Sequence, residues 1–240
     1  LGRPYNKDSL VEISQQSDGI GFPNVFSLDD ALCEEANLLK ANKAGQVNAI
    51  HVSESLEVIS QSLAFYGRRD IEVAIEQLDL DFVIHATYAD ENDLQSLKKN
   101  NIGVVCCPLS NLYNGLDFPP LEAIINKGIL LGLGTDNVFC CNPDPFRLMA
   151  FSLYNARSTK QHLSPKDILK ALTVNPGLMI QRKIGQLSVG YSGDFLGFDL
   201  NCSNLSFSKD FYTALTMRAT PADISFQMYK GRLVKWENQK

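Results

Sequence analysis

The chain of 240 residues is long enough to bury a full hydrophobic core, and its composition (45% hydrophobic, 20% charged) is ordinary for a globular protein. The formal net charge of -5 argues against nucleic acid or an anionic membrane surface as the main partner. No apolar run approaches the roughly 18 residues that a membrane-spanning helix requires.

The six cysteines form no Cys-x-x-Cys pair, and four of them stand in two adjacent doublets, Cys106-Cys107 and Cys140-Cys141. This pattern suits neither a zinc ribbon nor the disulfide framework of a secreted protein. It favours buried free thiols, so a reducing, cytoplasmic location is expected.

Short β-rich runs alternate along the chain with amphipathic segments that carry helix caps. Ser55 is placed to cap a helix that Gly67 would end, and Asp70 is placed to cap the next helix. Ser164 at the N-cap, with proline after it and Asp167 at the third helical position, predicts another helix start. The predicted strands, in chain order, are 47–51, 82–85, 102–107 and 129–134.

Buried apolar strands that alternate with helices predict a parallel sheet, because parallel pairing requires long crossovers. The expected fold class is α/β: a partial TIM-type (β/α) barrel of about the last five β/α units, followed by part of a small β-sandwich. Such a sheet places its chemistry at the carboxyl ends of the strands. The pattern changes near residue 184 to short β-like runs among turn residues. We therefore predict the barrel part over residues 1–184 and the small β-sandwich domain over residues 185–240.

Polar residues with catalytic potential follow three of the predicted strands. His51 ends one strand with Glu54 three residues further on, His85 ends the next, and Asp136 follows the last. Taken singly, each has an ordinary explanation as a strand-end, capping or turn residue. Together they fall on one rim of a parallel sheet, where imidazole and carboxylate groups can bind a metal and move protons. The third histidine, His162, is interpreted as a surface loop residue.

Four motifs extend this pattern: Ile-His-Val-Ser-Glu (50–54), Val-Ile-His-Ala (83–86), Cys-Pro-Leu-Ser-Asn (107–111) and Gly-Thr-Asp-Asn (134–137). In this order they resemble the amidohydrolase superfamily, and most closely its cytosine deaminase, S-adenosylhomocysteine deaminase and chlorohydrolase branch. The resemblance covers about residues 15–240. Each motif alone is weak, whereas the ordered set is highly specific.

The resemblance implies that His51 and Asp136 ligate a single divalent metal ion, zinc or iron, with zinc favoured. It implies that Glu54 takes a proton from the metal-bound water and hands it to the leaving group, and that His85 binds and polarises the substrate. Asp136 would also orient the attacking hydroxide. Lowering of a water pKa by the metal makes this chemistry physically reasonable. Three further residues are predicted to contact the substrate: Ser110, Asn111 and Asn114.

One feature of the family is absent. Its other two metal ligands form a His-x-His pair at the end of the first barrel strand, and the three histidines of this chain contain no such pair. Too few residues precede His51 for three further strand–helix units of a barrel that takes about 250 residues. The sequence is therefore expected to be the C-terminal part of a protein with roughly 150 or more additional residues. By itself it is expected to bind metal poorly and to be inactive.

The favoured function is hydrolytic removal of an amino group, or less favourably a chloro group, from a nucleobase- or nucleoside-like heterocycle. The alternative is a catalytically silent fragment or pseudoenzyme with a structural or interaction role. Two other interpretations are rejected because the motifs that they require are missing. The cytidine-deaminase type of zinc site needs His-x-Glu and Pro-Cys-x-x-Cys, which are absent, and no glycine-rich phosphate loop opens a helix. The sequence leaves the substrate and the formation of a homo-oligomer open.

Overall fold

Five parallel strands in sequential order form the main sheet of the computed structural model, which describes residues 1–138 and 140–236. Next to β1, Gly2 makes a parallel bridge to Ile20. His51 pairs with Ile84 in the register between the second and third strands. The predicted α/β fold with a parallel sheet is confirmed. The strands are β1 (Gly19–Phe22), β2 (Val47–Val52), β3 (Phe82–His85), β4 (Gly103–Cys106) and β5 (Leu131–Leu133).

Helices connect the strands, as parallel pairing requires. The α-helices are α1 (Lys7–Gln16), α2 (Asp30–Asn42), α3 (Leu56–Tyr66), α4 (Asp70–Gln77), α5 (Glu91–Lys99), α6 (Pro108–Tyr113), α7 (Leu121–Asn126), α8 (Pro145–Ser158), α9 (Pro165–Leu172), α10 (Val174–Met179) and α11 (Phe211–Thr213). Single turns of 3₁₀-helix cover Val25–Ser27 and Pro221–Asp223, and a π-helical turn covers Ala214–Arg218.

Two predicted helix starts are confirmed and one is wrong. The Ser55 side chain accepts a hydrogen bond from the Val58 backbone N–H at the start of α3. Ser164 forms a capping box with Asp167 at the start of α9. Asp70 was expected to cap α4, but the cap position belongs to Arg69 and Asp70 is the first helical residue. Its carboxylate is used elsewhere, because it is bonded to the loop that follows β2.

A second sheet of three antiparallel strands lies in the C-terminal part of the chain: β6 (Phe195–Phe198), β7 (Ile224–Tyr229) and β8 (Arg232–Trp236). The segment between β6 and β7 packs back on the main body, because Leu205, Ala214 and Leu215 are buried in the same core cluster as residues of α8 and α9. The division of the chain at residues 184 and 185, and the sandwich itself, stay predictions.

The main sheet has two unlike faces. The outer face, with Ile50, Val83 and Val104, is covered by helices and forms the large hydrophobic core. On the inner face, Ala49 and Phe82 form a smaller buried cluster with Met179 of α10. Because side chains alternate along a strand, His51 lies on the same face as Ala49. The smaller cluster thus forms the floor beneath the carboxyl ends of the strands.

Among residues 1–138 and 140–236, no helix combines the length and the apolar character that a bilayer-spanning segment needs. The cytoplasmic location suggested by the cysteines stays a prediction. Within the described residues all six cysteines are free thiols, and Cys33, Cys106 and Cys107 are buried.

Leu97 on α5 is fully buried in the large core, so Leu97→Ala is expected to lower the free energy of unfolding by about 2–5 kcal/mol. Leu56 on α3 is the matched control: its side chain is largely exposed, and Leu56→Ala is expected to change stability by less than about 0.5 kcal/mol. Urea denaturation measures both. Equal effects of the two substitutions would contradict the placement of α5 against the sheet.

Candidate active site

A cleft of about 510 Å³ opens at the carboxyl ends of the parallel strands. Each of the five strands, or the loop that follows it, contributes to the lining, together with the first residues of the chain. This is the edge at which an α/β sheet of this kind places its binding groups. Residues that line the cleft include Arg3, Gly21, His51, Ile84, Val105 and Asp136.

His51 presents one free ring nitrogen at this cleft. Its Nδ1 lies 2.9 Å from the Phe22 carbonyl oxygen. A carbonyl only accepts, so Nδ1 carries the proton and donates it, and Nε2 keeps its lone pair. Burial lowers the pKa of His51, and the Phe22 contact opposes this shift only partly. The ring is therefore held neutral, in the tautomer and orientation that a metal ligand needs.

Glu54 and His85 face each other beside this ring. The Glu54 Oε1 atom lies 3.7 Å from His85 Nε2. The two imidazole ring centres of His51 and His85 are 5.3 Å apart. His85 Nδ1 lies 3.0 Å from Asn111 Oδ1, and the Asn111 amide donates to the Thr87 hydroxyl at 2.7 Å. His85 is thus buried and held from behind, with its Nε2 directed at the carboxylate.

Asp136 lies on the same rim, after β5. Its Oδ2 atom accepts a hydrogen bond of 2.6 Å from the Ser110 hydroxyl. The Asn114 amide donates to that same hydroxyl oxygen at 3.5 Å. A carboxylate held in this way has a fixed orientation and keeps its other oxygen for a ligand.

Backbone strain accompanies these side chains. Left-handed backbone conformations occur at Ser53 (φ 46°), His85 (φ 72°), Ala86 (φ 48°) and Asp136 (φ 61°). These residues follow or end β2, β3 and β5 at the rim of the cleft. Non-glycine residues seldom adopt such angles, and they concentrate at functional sites where the surrounding structure enforces them. These left-handed conformations lie at His85 and Asp136 and directly before Glu54.

Cys107 also lines the cleft, yet it does not suit the role of a ligand. Burial raises the pKa of its thiol far above the usual range, and the nearby Asp136 carboxylate adds to the shift. A thiol ligates metal as the thiolate, which this environment disfavours. In the described part of the chain, no three His, Cys, Asp or Glu side chains are grouped so that they could hold a metal ion. The donors that face the cleft are therefore His51 and Asp136.

The structure brings most of the predicted residues to one place. His51 and Asp136 line one cleft, and Glu54 and His85 lie beside it. Ser110 and Asn111 are fully buried and contact Asp136 and His85. The roles of these residues, including substrate contact by Ser110, Asn111 and Asn114, stay predictions. His162 lies apart, where its backbone N–H is bonded to Glu122 on α7.

Sequence reasoning missed three polar residues near this site. Arg3 lines the cleft, but no motif surrounds it. Thr87 accepts a hydrogen bond from the Asn111 amide. Its only signal in the sequence is that it lies two residues after His85. Asp70 binds Ser53 in the loop after β2. Its position at the start of a helix suggested a capping role instead.

Imidazole and carboxylate groups at the carboxyl ends of neighbouring parallel strands are the types of group that catalytic sites of α/β proteins use. The comparison with protein families agrees, since the model of the amidohydrolase family matches residues 19–234. The chain belongs to the amidohydrolase family.

Known relatives extend this result. An uncharacterised protein of Methanocaldococcus jannaschii is 31% identical over 237 residues, covering 93% of this chain and 59% of that protein. A 5-methylthioadenosine/S-adenosylhomocysteine deaminase of Caldanaerobacter subterraneus subsp. tengcongensis is 28% identical over 204 residues, covering 81% of this chain and 47% of that protein. The chain thus spans about half the length of the curated relatives it matches.

A solved structure confirms the fold. The crystal structure of an adenosine deaminase from Xanthomonas campestris with bound zinc superimposes with a TM-score of 0.86 at 19% identity. The superposition covers 95% of this chain and 56% of that protein. At this level of identity the likeness concerns the fold alone.

Proposed function

We propose that the complete protein is a metal-dependent hydrolase that deaminates a nucleobase- or nucleoside-like heterocycle, and that these residues form one part of its active site. The observation that supports this most is the arrangement at the cleft. The Glu54 carboxylate lies 3.7 Å from His85 Nε2, next to the His51 ring, whose Nδ1–H donates to the Phe22 carbonyl and so leaves Nε2 free. The deaminases among the relatives point to the same reaction class.

The donor set fits a divalent ion in part. A neutral imidazole nitrogen and an oriented carboxylate suit zinc, and His51 and Asp136 would hold it. A catalytic zinc site takes three protein ligands as a rule, so further ligands must come from residues outside those described. We propose that another segment of the complete protein supplies them, as a His-x-His pair does in the family. When bound, such an ion would lower the pKa of a water molecule and supply positive charge to the site.

The chain's own residues would move the protons. Deamination forms a carbon–oxygen bond to the attacking water and breaks the bond to the amino group. Glu54 is placed to accept a proton from that water and to give one to the departing amine, which leaves as ammonia. His85, held by Asn111, would bind the substrate near the attacked carbon. Asp136, held by Ser110, would accept a hydrogen bond from the attacking water and so orient it.

We further propose that the five parallel strands are an arc of a TIM-type barrel and that residues 185–240 belong to a small β-sandwich. The unlike faces of the sheet support the first proposal. On one face Ala49 and Phe82 form a small cluster with Met179 of α10, whereas the other face is part of the large core that several helices share. The antiparallel sheet of β6, β7 and β8 supports the second.

His51→Ala is expected to abolish ammonia release by the complete protein and to weaken zinc binding. Loss of one ligand from a set worth about 10–16 kcal/mol removes ~2.5–4 kcal/mol, or about 10²–10³-fold in Kd. The measurement is ammonia release from a panel of adenine, guanine and cytosine bases and nucleosides, with zinc content determined on the same samples.

His162→Ala is the matched control, because this histidine lies outside the cleft on a loop before α9. It is expected to keep the zinc content and activity of the unchanged protein. If the complete protein releases ammonia from no compound in the panel and retains no zinc, the catalytic proposal is wrong. A catalytically silent protein with an interaction role is then the better description.

A further inference from the structure

Asp70 is a fully buried carboxylate close to the candidate site. It begins α4, where its sequence position suggested a helix cap. The preceding Arg69 does not neutralise it, because the Arg69 guanidinium donates to the Asp93 carboxylate at 2.7 Å and to the Tyr88 carbonyl at 2.7 Å. A buried carboxylate without such a partner is costly unless hydrogen-bond donors surround it.

Two of the donors to Asp70 come from one residue of the loop after β2. The Ser53 backbone N–H donates to Asp70 Oδ2 at 2.5 Å, and the Ser53 hydroxyl donates to Asp70 Oδ1 at 2.7 Å. The backbone N–H of Ile71 adds a third bond of 3.1 Å to Oδ1. Charge-assisted bonds of this kind are short and strong. Asp70 therefore binds Ser53 at two points and holds its backbone.

Ser53 directly precedes Glu54 in the chain and has an unusual backbone conformation. It is fully buried, and its φ of 46° lies in the left-handed region that residues with a Cβ disfavour. The next residue is Glu54, whose carboxylate lies 3.7 Å from His85 Nε2. The Ser53 carbonyl also accepts from the Tyr88 backbone N–H at 3.0 Å, which ties this loop to the one after β3.

We propose that Asp70 is a positioning residue: through its two bonds to Ser53 it stabilises the left-handed turn that places Glu54 against His85. The inference rests on the proposed function, since Glu54 matters to turnover only if it moves protons there. Asp70 is not among the residues that line the cleft. Its effect should appear in the rate of the chemical step and not in substrate binding.

Asp70→Ala in the complete protein is expected to lower kcat by about 10- to 100-fold, with KM and zinc content unchanged. Asp70→Asn keeps an oxygen for the Ser53 N–H and is expected to recover most of the loss. In a Glu54→Gln background, Asp70→Ala is expected to lower kcat by less than about threefold more. The reason is that the effects of two substitutions that act through the same group are not additive.

Asp93→Asn is the matched control. Asp93 is also a buried carboxylate in the first turn of a helix, and its bonds go to Arg69 and Asp90 instead of the site. This variant is expected to lower stability and to leave kcat unchanged. An equal loss of kcat in Asp93→Asn and Asp70→Ala, or a full additional loss in the Glu54→Gln background, would show that Asp70 is merely structural.

If Asp70→Ala does not fold, Ser53→Ala takes its place, because it removes the hydroxyl bond and keeps the backbone bond. Its kcat is expected to fall with KM unchanged, and an unchanged kcat would overturn the proposal. If the unaltered protein shows no deamination at all, the proposed function fails, and a crystal structure of Asp70→Ala or Ser53→Ala still tests the positioning. The Glu54 carboxylate is expected to move away from His85 Nε2, and an unmoved Glu54 would overturn it.

Discussion

Glu54→Gln is expected to lower kcat for deamination by about 10²–10⁴-fold in the complete protein, the range that a positioned general acid–base contributes. Glutamine has nearly the same shape as glutamate but cannot take a proton from water at neutral pH. The neighbouring His85 ring keeps its contacts with Asn111, so the surrounding structure should be unchanged. Steady-state kinetics on the best compound of the panel measures the effect, with KM expected to change only a few-fold.

Glu57→Gln is the matched control for this substitution. Glu57 lies three residues further on, in the first turn of α3, and is exposed. It is expected to change kcat by less than about twofold, because exposed charges far from the reacting atoms contribute little. If kcat of Glu54→Gln stays within threefold of that of the unchanged protein, another group moves the proton.

Asp136→Ala is expected to remove both turnover and tight zinc binding. The substitution deletes one of the two donors that face the cleft, and it leaves the buried Ser110 hydroxyl without its acceptor. Loss of one ligand should weaken zinc binding by about 10²–10³-fold. Competition with a chromogenic chelator measures this Kd, and ammonia release measures turnover.

Asp117→Asn is the control for Asp136, because Asp117 is an exposed carboxylate between α6 and α7. Zinc affinity and turnover are expected to stay unchanged in this variant. If Asp136→Ala binds zinc as tightly as the unchanged protein, Asp136 is not a ligand. The loss of turnover would then have to come from its second role, the orientation of the attacking group.

Much of the main sheet could be predicted from the sequence, because its strands are short, apolar and bounded by polar turns. The strand predicted at 82–85 is observed as β3 with the same limits, and the one at 47–51 is observed as β2 with one residue more. One of the short β-like runs expected after residue 184 is observed as β7 (Ile224–Tyr229). Periodicity and caps carry this information locally, so tertiary contacts were not needed to find these elements.

The hydrophobic pattern does not predict β1, and the reason is steric. Gly19 and Gly21 give the segment little strand propensity. A Cβ on Gly19 would come within 2.3 Å of a Val47 methyl group and 2.6 Å of a Leu1 methyl group. Glycine is therefore required by the close approach of neighbouring chain segments, which only the folded structure reveals.

The convergence of His51, Glu54, His85 and Asp136 could be expected, because parallel strands bring their carboxyl ends to one rim. The contacts behind them could not. The Asn111–Thr87 pair behind His85 and the Asp70–Ser53 contact behind Glu54 join residues 24 and 17 positions apart. Such contacts depend on side-chain direction after a left-handed turn, which no local pattern encodes.

The central claim is that His51 and Asp136 share one catalytic metal ion in the complete protein. Crystals of the zinc-loaded complete protein, measured at the zinc absorption edge, test it most directly. The expected result is a single anomalous peak about 2.0–2.2 Å from both His51 Nε2 and an Asp136 carboxylate oxygen, with Glu54 beside it. A zinc peak bound away from these two residues, or a fully active protein without any peak in the cleft, would contradict the account.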